Sequence, residues 1–170
     1  MIEHNIQESI TIRQVSADDL VNCVNLIRTS FKTVADEFGF TEENAPRFTA
    51  FATDESRLKY QFFIEQRPMF VCLIKDIIVG YYSVMLISDD EIELNNLAVI
   101  PEYRHNGIGE ALVLNCFEFA LKLGRKKIKI GIVEENIVLR QWYETLGFIH
   151  TGCRKYDFFP FTCGYMEKVL

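Results

Sequence analysis

The amino-acid sequence predicts a mixed α/β (α+β) fold in which helices cover the faces of a central sheet. The 170 residues are 49% hydrophobic and 25% charged, a composition typical of a globular chain with a large core. Segments rich in valine, isoleucine and tyrosine alternate with segments of helical periodicity. No repeat or low-complexity linker divides the chain, so we expect one domain over residues 1–170.

The first predicted elements are a strand and a helix. Residues 10–15 alternate apolar and polar side chains, as a half-buried strand does. Ser16 and Asp18 are suitable helix caps for the segment that follows. The apolar residues of that segment, at helical spacing, are Leu20, Val24, Ile27 and Phe31. The strand is therefore expected to lead directly into a helix.

Residues 36–66 are an irregular insert with two predicted helices. Thr41 or Asn44 is expected to cap a helix that starts at Pro46, because proline is favoured in the first helical turn. The second helix is predicted over residues 54–65. An insert of this length can shape a substrate pocket.

The centre of the chain predicts three consecutive strands. Residues 69–74 and 77–87 are apolar and are joined by a two-residue turn, which is typical of an antiparallel hairpin. Residues 91–100 form the third strand. Asn95 and Asn96 are unusual in this otherwise apolar segment, and they predict a β-bulge.

The second half of the chain alternates helices and strands. In order, the predicted elements are a helix at 108–123, a strand at 127–133, a helix at 136–146 and strands at 148–155 and 161–169. The glycines at 124 and 147 are expected to end the two helices. Leu112, Phe119 and Leu123 are predicted to be buried.

Charge and hydropathy exclude several classes of function. The chain has 24 acidic and 18 basic residues and a net charge of −6, which disfavours nucleic-acid binding because phosphate contacts need a basic field. The longest apolar run, over residues 77–87, is shorter than the roughly 20 residues of a membrane helix. Residues 1–7 lack the features of a secretion signal, which predicts a cytoplasmic protein that does not bind membranes.

The cysteines and histidines predict no metal site. The five cysteines are odd in number and far apart, as is typical of reduced packing residues: they are Cys23, Cys72, Cys116, Cys153 and Cys163. They form no Cys-x-x-Cys pair, and the three histidines are scattered.

The segment that carries chemistry surrounds two glycines. A helix that starts near Gly107 leaves its first backbone N–H groups unpaired and exposes the positive end of its dipole, so it stabilises an anion. Gly107 and Gly109 leave room for close approach, and Arg104 adds a positive charge beside the turn. A pyrophosphate fits this arrangement. The segment lacks the Gly-Lys-Ser/Thr ending of an NTPase phosphate loop and the third glycine of a dinucleotide-binding fingerprint.

Residues 104–109 resemble the Arg/Gln-x-x-Gly-x-Gly/Ala signature of the GNAT superfamily of acetyl-CoA-dependent N-acetyltransferases. The flanking segments are similar to that family as well. The residues that carry this further resemblance are 11–13, 18–20, 97–99, Pro101, Asn136, 143–144 and 146–148. The resemblance spans nearly the whole chain, although residues 31–66 contain no family motif.

This resemblance implies a mostly antiparallel mixed sheet, flanked by about four helices, with a splayed gap between its fourth and fifth strands that receives acetyl-CoA. The backbone of Leu97, Ala98 and Val99 would pair with the pantetheine arm as an added strand does. The amides that would hold the pyrophosphate, close to Arg104, belong to His105, Asn106, Gly107, Ile108, Gly109 and Glu110. Asn136, which is also a suitable helix N-cap, would reach the pantetheine.

The resemblance also implies two catalytic residues. Glu93 lies at a position where several family members keep a general base, and it would accept the amine proton directly or through water. Tyr143 matches the family's frequent general acid, so it would contact the cofactor and protonate the CoA sulfur. The alternatives are a solvated strand residue for Glu93 and an aromatic core residue for Tyr143.

The implied activity is transfer of an acetyl group from acetyl-CoA to the primary amine of a small molecule, by direct attack in a ternary complex. The alternatives are a protein N-terminal or lysine acetyltransferase and a non-catalytic acyl-CoA-binding sensor. Peptide acceptors require an open groove, whereas a helical lid over residues 36–66 favours small molecules. We expect a monomer or a homodimer. The sequence near Cys72, Cys116 and Cys153 contains no residue that indicates an activating base, so none of these cysteines is expected to carry the acyl group.

Overall fold

A seven-stranded sheet forms the centre of the described structure. The computed structural model describes residues 9–170, so the prediction made for residues 1–7 lies outside the described residues. The strands are β1 (Ile10–Gln14), β2 (Met69–Ile74), β3 (Ile77–Leu86), β4 (Glu91–Val99), β5 (Lys127–Val133), β6 (Ile149–Lys155) and β7 (Thr162–Val169). Their order is β1-β2-β3-β4-β5-β7-β6, and only the β4–β5 pair is parallel among residues 9–170. The predicted mixed, mostly antiparallel sheet is confirmed.

Helices cover both faces of this sheet. Within residues 9–170 they are α1 (Leu20–Phe38), α2 (Thr49–Ala52), α3 (Glu55–Lys59), α4 (Ile108–Lys122) and α5 (Ile137–Thr145), and α3 continues into a π-helical turn at Tyr60–Ile64. One core lies between the sheet, α1 and α3, and we call that side of the sheet the α1 face. A second core lies between the sheet, α4 and α5, on the α4 face.

The first helix begins and ends as local chemistry requires. Ser16 starts a short 3-10 turn before α1, and the Asp19 carboxylate accepts the Ser16 backbone N–H at 2.8 Å. Arg13 donates to the same carboxylate at 2.6 and 3.0 Å, which ties β1 to the start of the helix. The predicted cap at Ser16 is confirmed, but Asp19 rather than Asp18 supplies the carboxylate. Gly39, with φ of 73°, ends α1.

The first half of the insert differs from its prediction. Thr41 and Asn44 bond to each other, since each side chain accepts the other's backbone N–H at 3.2 and 2.8 Å. They therefore close a turn, and the helix predicted to start at Pro46 begins at Thr49 instead. The helix predicted over residues 54–65 is observed as α3 and its π-helical continuation, with the Asp54 side chain accepting a backbone N–H as the N-cap.

β4 contains the predicted bulge. The register pairs Tyr81 with Ala98 and Ser83 with Asn95, so β4 has one more residue than β3 between these pairs. Asn96 has a positive φ of 53° at this point. The extra residue changes the alternation of side chains, and both Leu94 and Leu97 pack on the α4 face.

β4 and β5 separate after a short parallel ladder. They pair over only three residues each, and the last pair is Glu93 with Lys129. Beyond it, β4 continues its pairing with β3 and β5 continues its pairing with β7. The gap predicted between these strands is confirmed, and each side of it is a strand edge whose backbone groups lack a neighbouring strand.

The burial predicted for α4, the membrane and the metal ions can each be compared with the described residues. Leu112 is fully buried, but Leu123 is 43% exposed because it lies in the turn that ends α4 rather than on its core face. In the described part of the chain, no helix combines the length and apolarity that crossing a bilayer requires. Residues 9–170 also contain no group of three or more histidine, cysteine or acidic side chains that could hold a metal ion.

Candidate active site

Six consecutive backbone N–H groups, from His105 to Glu110, donate to no acceptor in residues 9–170, and we call this segment the amide turn. Three of them belong to the first turn of α4, where N–H groups have no intrahelical partner. The other three lie in the bend before it, where His105 and Gly107 have φ of 62° and 77°. Such left-handed residues let successive N–H groups converge on an anion. The amide turn therefore has the local geometry that the predicted anion site requires.

The two glycines of the amide turn have different roles. A Cβ on Gly107 would meet no atom within 4 Å, so glycine is needed there for its positive φ. A Cβ on Gly109 would lie 3.3 Å from the Trp142 ring, so its small size lets α4 pack closely on α5. The sequence predicts that both glycines leave room for a ligand to approach the amides. In the structure, this space is next to Gly107, whereas the space next to Gly109 is filled by Trp142.

The Arg104 guanidinium is bonded to β4 and α1 rather than left free beside the amide turn. Its Nε donates to the Val99 carbonyl, and its other two nitrogens donate to Thr33 Oγ1 and the Ser30 carbonyl, each at 3.0 Å. Burial lowers the pKa of this guanidinium, which still stays charged at neutral pH. These bonds tie the turn to α1, and the contact between Arg104 and a phosphate stays a prediction.

The three residues predicted to pair with pantetheine lie at the end of β4. Leu97 and Val99 pack partly on the α4 face, whereas Ala98 is buried on the α1 face. The Ile100 N–H donates toward β3, to the Val79 carbonyl at 3.0 Å. Because successive strand residues direct their backbone groups to opposite sides, the Val99 N–H points toward the gap.

Tyr143 lies on α5, buried on the α4 face. Its ring packs edge-to-face on Trp142 and Phe148, with centroids 4.8 and 5.3 Å apart. Its hydroxyl has no hydrogen-bond partner among the described residues. Burial raises the pKa of this phenol, so it stays protonated at neutral pH. A protonated, unpartnered hydroxyl is available to donate a proton.

Asn136 caps α5 as predicted. Its side chain accepts the Leu139 backbone N–H at 3.2 Å, which satisfies one of the free N–H groups of the first helical turn. The amide nitrogen of Asn136 has no partner in the part of the chain that the structure describes. The capping role leaves that nitrogen free to donate at the end of β5.

Glu93 lies at the point where the strands separate. Its neighbours Ile92 and Leu94 face α4, so the alternation of the strand directs Glu93 to the α1 face. Burial raises the pKa of this carboxyl, while the positive charges of Arg67 and Lys129 lower it to a smaller extent. Glu93 and Tyr143 therefore lie on opposite faces of the sheet.

An aromatic cluster joins the insert to the segment before β7, beside the end of β5. Phe40 and Phe48 pack against Phe161, in the segment before β7, with ring centroids 4.8 and 5.8 Å apart. Val133, the last residue of β5, belongs to the same cluster. The insert thus reaches the end of β5 beside the gap.

Some residues of the site could not be placed there from the sequence. Ser30 and Thr33 hold Arg104 from more than 70 residues away, as ordinary helical residues. Ser83 and Asn95 form a cross-strand pair with buried polar atoms that lack partners in residues 9–170. Their polarity within apolar strands is a signal, but only the register brings them together.

The splayed parallel pair with the amide turn beside it matches the arrangement that the sequence resemblance implies. The model of the acetyltransferase (GNAT) family matches residues 35–148. The chain belongs to the GNAT acetyltransferase family.

Individual relatives are more distant. An uncharacterized N-acetyltransferase of Methanocaldococcus jannaschii is 26% identical over 151 residues, covering 85% of this chain and 63% of the relative, which is less than two thirds of its length. A thialysine N-epsilon-acetyltransferase of Sus scrofa is 26% identical, covering 82% of this chain and 84% of the relative. The crystal structure of the PaiA N-acetyltransferase of Thermoplasma acidophilum in complex with coenzyme A has a TM-score of 0.81 at 22% identity, covering 95% of this chain and 99% of that one. This last likeness concerns the fold.

Proposed function

We propose that this protein is an N-acetyltransferase that transfers the acetyl group of acetyl-CoA to a primary amine. The observation that carries the proposal is the amide turn, with its unpaired N–H groups from His105 to Glu110, next to a gap between two parallel strands. Convergent amides suit the pyrophosphate, and the free edge of β4 suits the peptide-like pantetheine. Family membership and relatives that are named N-acetyltransferases support the same reaction.

Different residues of the site would bind different parts of acetyl-CoA. The amides of the turn would hold the pyrophosphate, while Arg104 fixes the turn against α1. The Val99 N–H and the Asn136 amide nitrogen would donate to the pantetheine arm from the two sides of the gap. These groups are fixed before any ligand binds, so little ordering entropy opposes binding.

The reaction needs a base for the amine and an acid for the leaving thiolate. Glu93, on the α1 face, would accept the proton that the amine loses as it attacks the thioester carbonyl. Tyr143, on the α4 face, would donate its proton to the CoA sulfur as the carbon–sulfur bond breaks. The acceptor gains the acetyl group, and CoA leaves as the thiol.

Direct attack is favoured over an acyl-enzyme. Cys72 and Cys116 are fully buried, and burial raises the pKa of their thiols to about 11 and about 12. Such thiols are protonated at neutral pH and are poor nucleophiles. Cys153 is exposed, but it lies on β6 at the edge of the sheet, with β7 between it and β5.

The acceptor is a small molecule in this proposal. The insert packs through Phe40 and Phe48 onto Phe161, in a cluster that includes Val133 at the end of β5, and so forms a wall beside the gap. A wall at this position would limit the space for an extended peptide. A protein acceptor and a non-catalytic acyl-CoA sensor are the outcomes that the test below distinguishes from it.

A matched pair of glycine variants tests the cofactor site. Gly107 and Gly39 have φ of 77° and 73°, and a Cβ on either would meet no atom within 4 Å. Glutamate at either position therefore adds similar backbone strain, but only Gly107→Glu places a negative charge at the amide turn. By isothermal titration calorimetry we expect Gly107→Glu to weaken acetyl-CoA binding by at least about 100-fold, or about 2.7 kcal/mol. Gly39→Glu should bind like the unmodified protein, and equal affinities in all three proteins would refute the site.

Release of the CoA thiol then tests the reaction. Acetyl-CoA is incubated with the protein and a panel of small amines, amino acids and peptides, and the thiol is measured with a chromogenic disulfide. Release that depends on a small amine supports the proposal. Release with peptides alone identifies a protein acetyltransferase, and tight binding without any release identifies a sensor.

A further inference from the structure

Three buried polar atoms without a protein partner lie close together on the α1 face of the sheet. They are the Tyr81 hydroxyl, Ser83 Oγ and Asn95 Nδ2, and none of them has a hydrogen bond to residues 9–170. Ser83 is paired directly with Asn95, and Tyr81 lies two residues before Ser83 on the same face. The Ser83 hydroxyl lies close enough to the Tyr81 hydroxyl to lower the pKa of that phenol, although the two oxygens do not meet hydrogen-bond geometry. Buried polar groups in folded proteins are nearly always bonded to protein or to ordered water.

These atoms offer what an internal water needs. A buried water typically makes about three hydrogen bonds to groups that are otherwise unsatisfied. Here one amide donor and two hydroxyls meet on two neighbouring strands. Ser83 and Tyr81 are fully buried, whereas Asn95 is only partly buried with its Nδ2 enclosed. The group therefore extends from the core toward the surface at Asn95.

Glu93 is the nearest candidate catalytic group. It lies two residues before Asn95 on the same face of β4 and is paired with Met85, which makes Ser83 its diagonal neighbour across the strands. Diagonal neighbours in an antiparallel pair are about 7–8 Å apart at Cα. A single water, with a hydrogen bond of about 2.8 Å on each side, spans the separation between their side chains.

We propose that Ser83 and Asn95 hold an internal water that donates a hydrogen bond to the Glu93 carboxylate and so positions the base for the acceptor amine. This inference rests on the proposed function, since it names the groups that act through Glu93. Ser83 and Asn95 are positioning residues, and the water lies on the path by which the amine proton reaches the carboxylate.

The charged groups around Glu93 leave its carboxylate free to accept a hydrogen bond from a water. Arg67 donates to Glu65 at 2.7 Å, and Lys129 pairs with Glu91 at 2.8 Å, so both cations near Glu93 are already paired. The other charged groups on this side of β4, β5 and β7 pair with one another, since Lys127 lies 3.4 Å from Glu91 and 3.5 Å from Glu167. Tyr81 on β3 and Cys23 on α1 are buried titratable groups of the same face. Burial raises the pKa of both and keeps them neutral at neutral pH. A water donor is thus the stabilising contact that the Glu93 carboxylate lacks.

The test measures the titration of Glu93 itself, in the full chain without any ligand. The side-chain carboxyl is followed by carbon-13 NMR and assigned by its loss in Glu93→Gln. Ser83→Ala and Asn95→Leu each remove a polar partner of the water at nearly constant volume. We expect each to raise the Glu93 titration midpoint by about one pH unit, because the charged form loses a hydrogen bond. Ser30→Ala removes another buried, unpartnered hydroxyl, on α1, and should leave the midpoint unchanged.

The outcomes decide the proposal in either direction. A midpoint that stays within about 0.2 pH units in both variants, with native thermal unfolding, overturns it. A high-resolution crystal structure with no water between Ser83, Asn95 and Glu93 also overturns it. If Ser83→Ala does not fold, Asn95→Leu alone carries the comparison. Failure of acetyl-CoA binding in the unmodified protein would refute the proposed function, and the titration would still report on the water.

Discussion

Replacing Arg104 with methionine is expected to lower the free energy of unfolding by about 2–4 kcal/mol. Three hydrogen bonds of 3.0 Å join this side chain to β4 and α1. A bond to a charged group contributes about 1.5–3 kcal/mol, so three independent bonds would contribute about 4.5–9 kcal/mol. The expected loss is smaller because methionine removes the cost of keeping a guanidinium away from water, and because bonds from one group are not additive. Urea denaturation followed by circular dichroism measures the change.

The same variant distinguishes positioning from direct phosphate contact. Arg104→Lys keeps the charge but cannot reach three acceptors, so a positioning role predicts that it restores neither stability nor acetyl-CoA affinity. Arg28→Met is the matched control, since Arg28 makes one bond of 2.8 Å to the Thr53 carbonyl and should lose about a third as much stability. An Arg104→Met protein of native stability and greatly reduced acetyl-CoA affinity would contradict the positioning role.

Two further predictions concern single groups. Tyr143→Phe should lower kcat by about 100-fold or more. Stability and acetyl-CoA affinity should stay close to native, because the Tyr143 hydroxyl has no partner in residues 9–170. An unchanged kcat would exclude Tyr143 as the acid. The hydrogen bond with Arg13 is the largest cause that lowers the pKa of Asp19 to about 2. The charged carboxylate therefore stabilises the folded protein above the unfolded pKa near 4, and this stability is lost as the pH falls toward 2. Asp19→Asn should therefore cost about 1–2 kcal/mol at pH 7, allowing for solvent screening at the partly exposed Arg13, and much less at pH 2, where about half of the folded carboxylates are protonated. Urea denaturation at both pH values checks this, and an equal cost at both would contradict it.

The periodic elements were predictable because their signals are local. The hairpin of β2 and β3, the helix α4 and the strands that follow it each have a clear apolar period and a turn residue at their ends. The helix predicted at Pro46 was wrong for a tertiary reason. Phe40 and Phe48 pack onto Phe161, more than 100 residues away, and the chain between them closes as a turn.

Part of the candidate site was likewise predictable from local sequence, and part of it was not. The amide turn follows from one short segment, because left-handed residues before a helix start leave consecutive N–H groups free. The partners of Arg104 could not be predicted, since Ser30 and Thr33 belong to a helix at the other end of the chain. The pairing of Ser83 with Asn95 depended on register, which the bulge at Asn96 shifts by one residue.

By itself, the sequence determined which segments become strands and helices and where consecutive backbone N–H groups stay unpaired, because hydrogen bonds between near neighbours govern both. The tertiary structure alone decided that Glu93 and Tyr143 lie on opposite faces of the sheet and that Arg104 is tied to α1. The physical reason is that burial and charge pairing depend on neighbours that the chain brings together only when it packs. Those neighbours set the protonation of the two candidate catalytic groups.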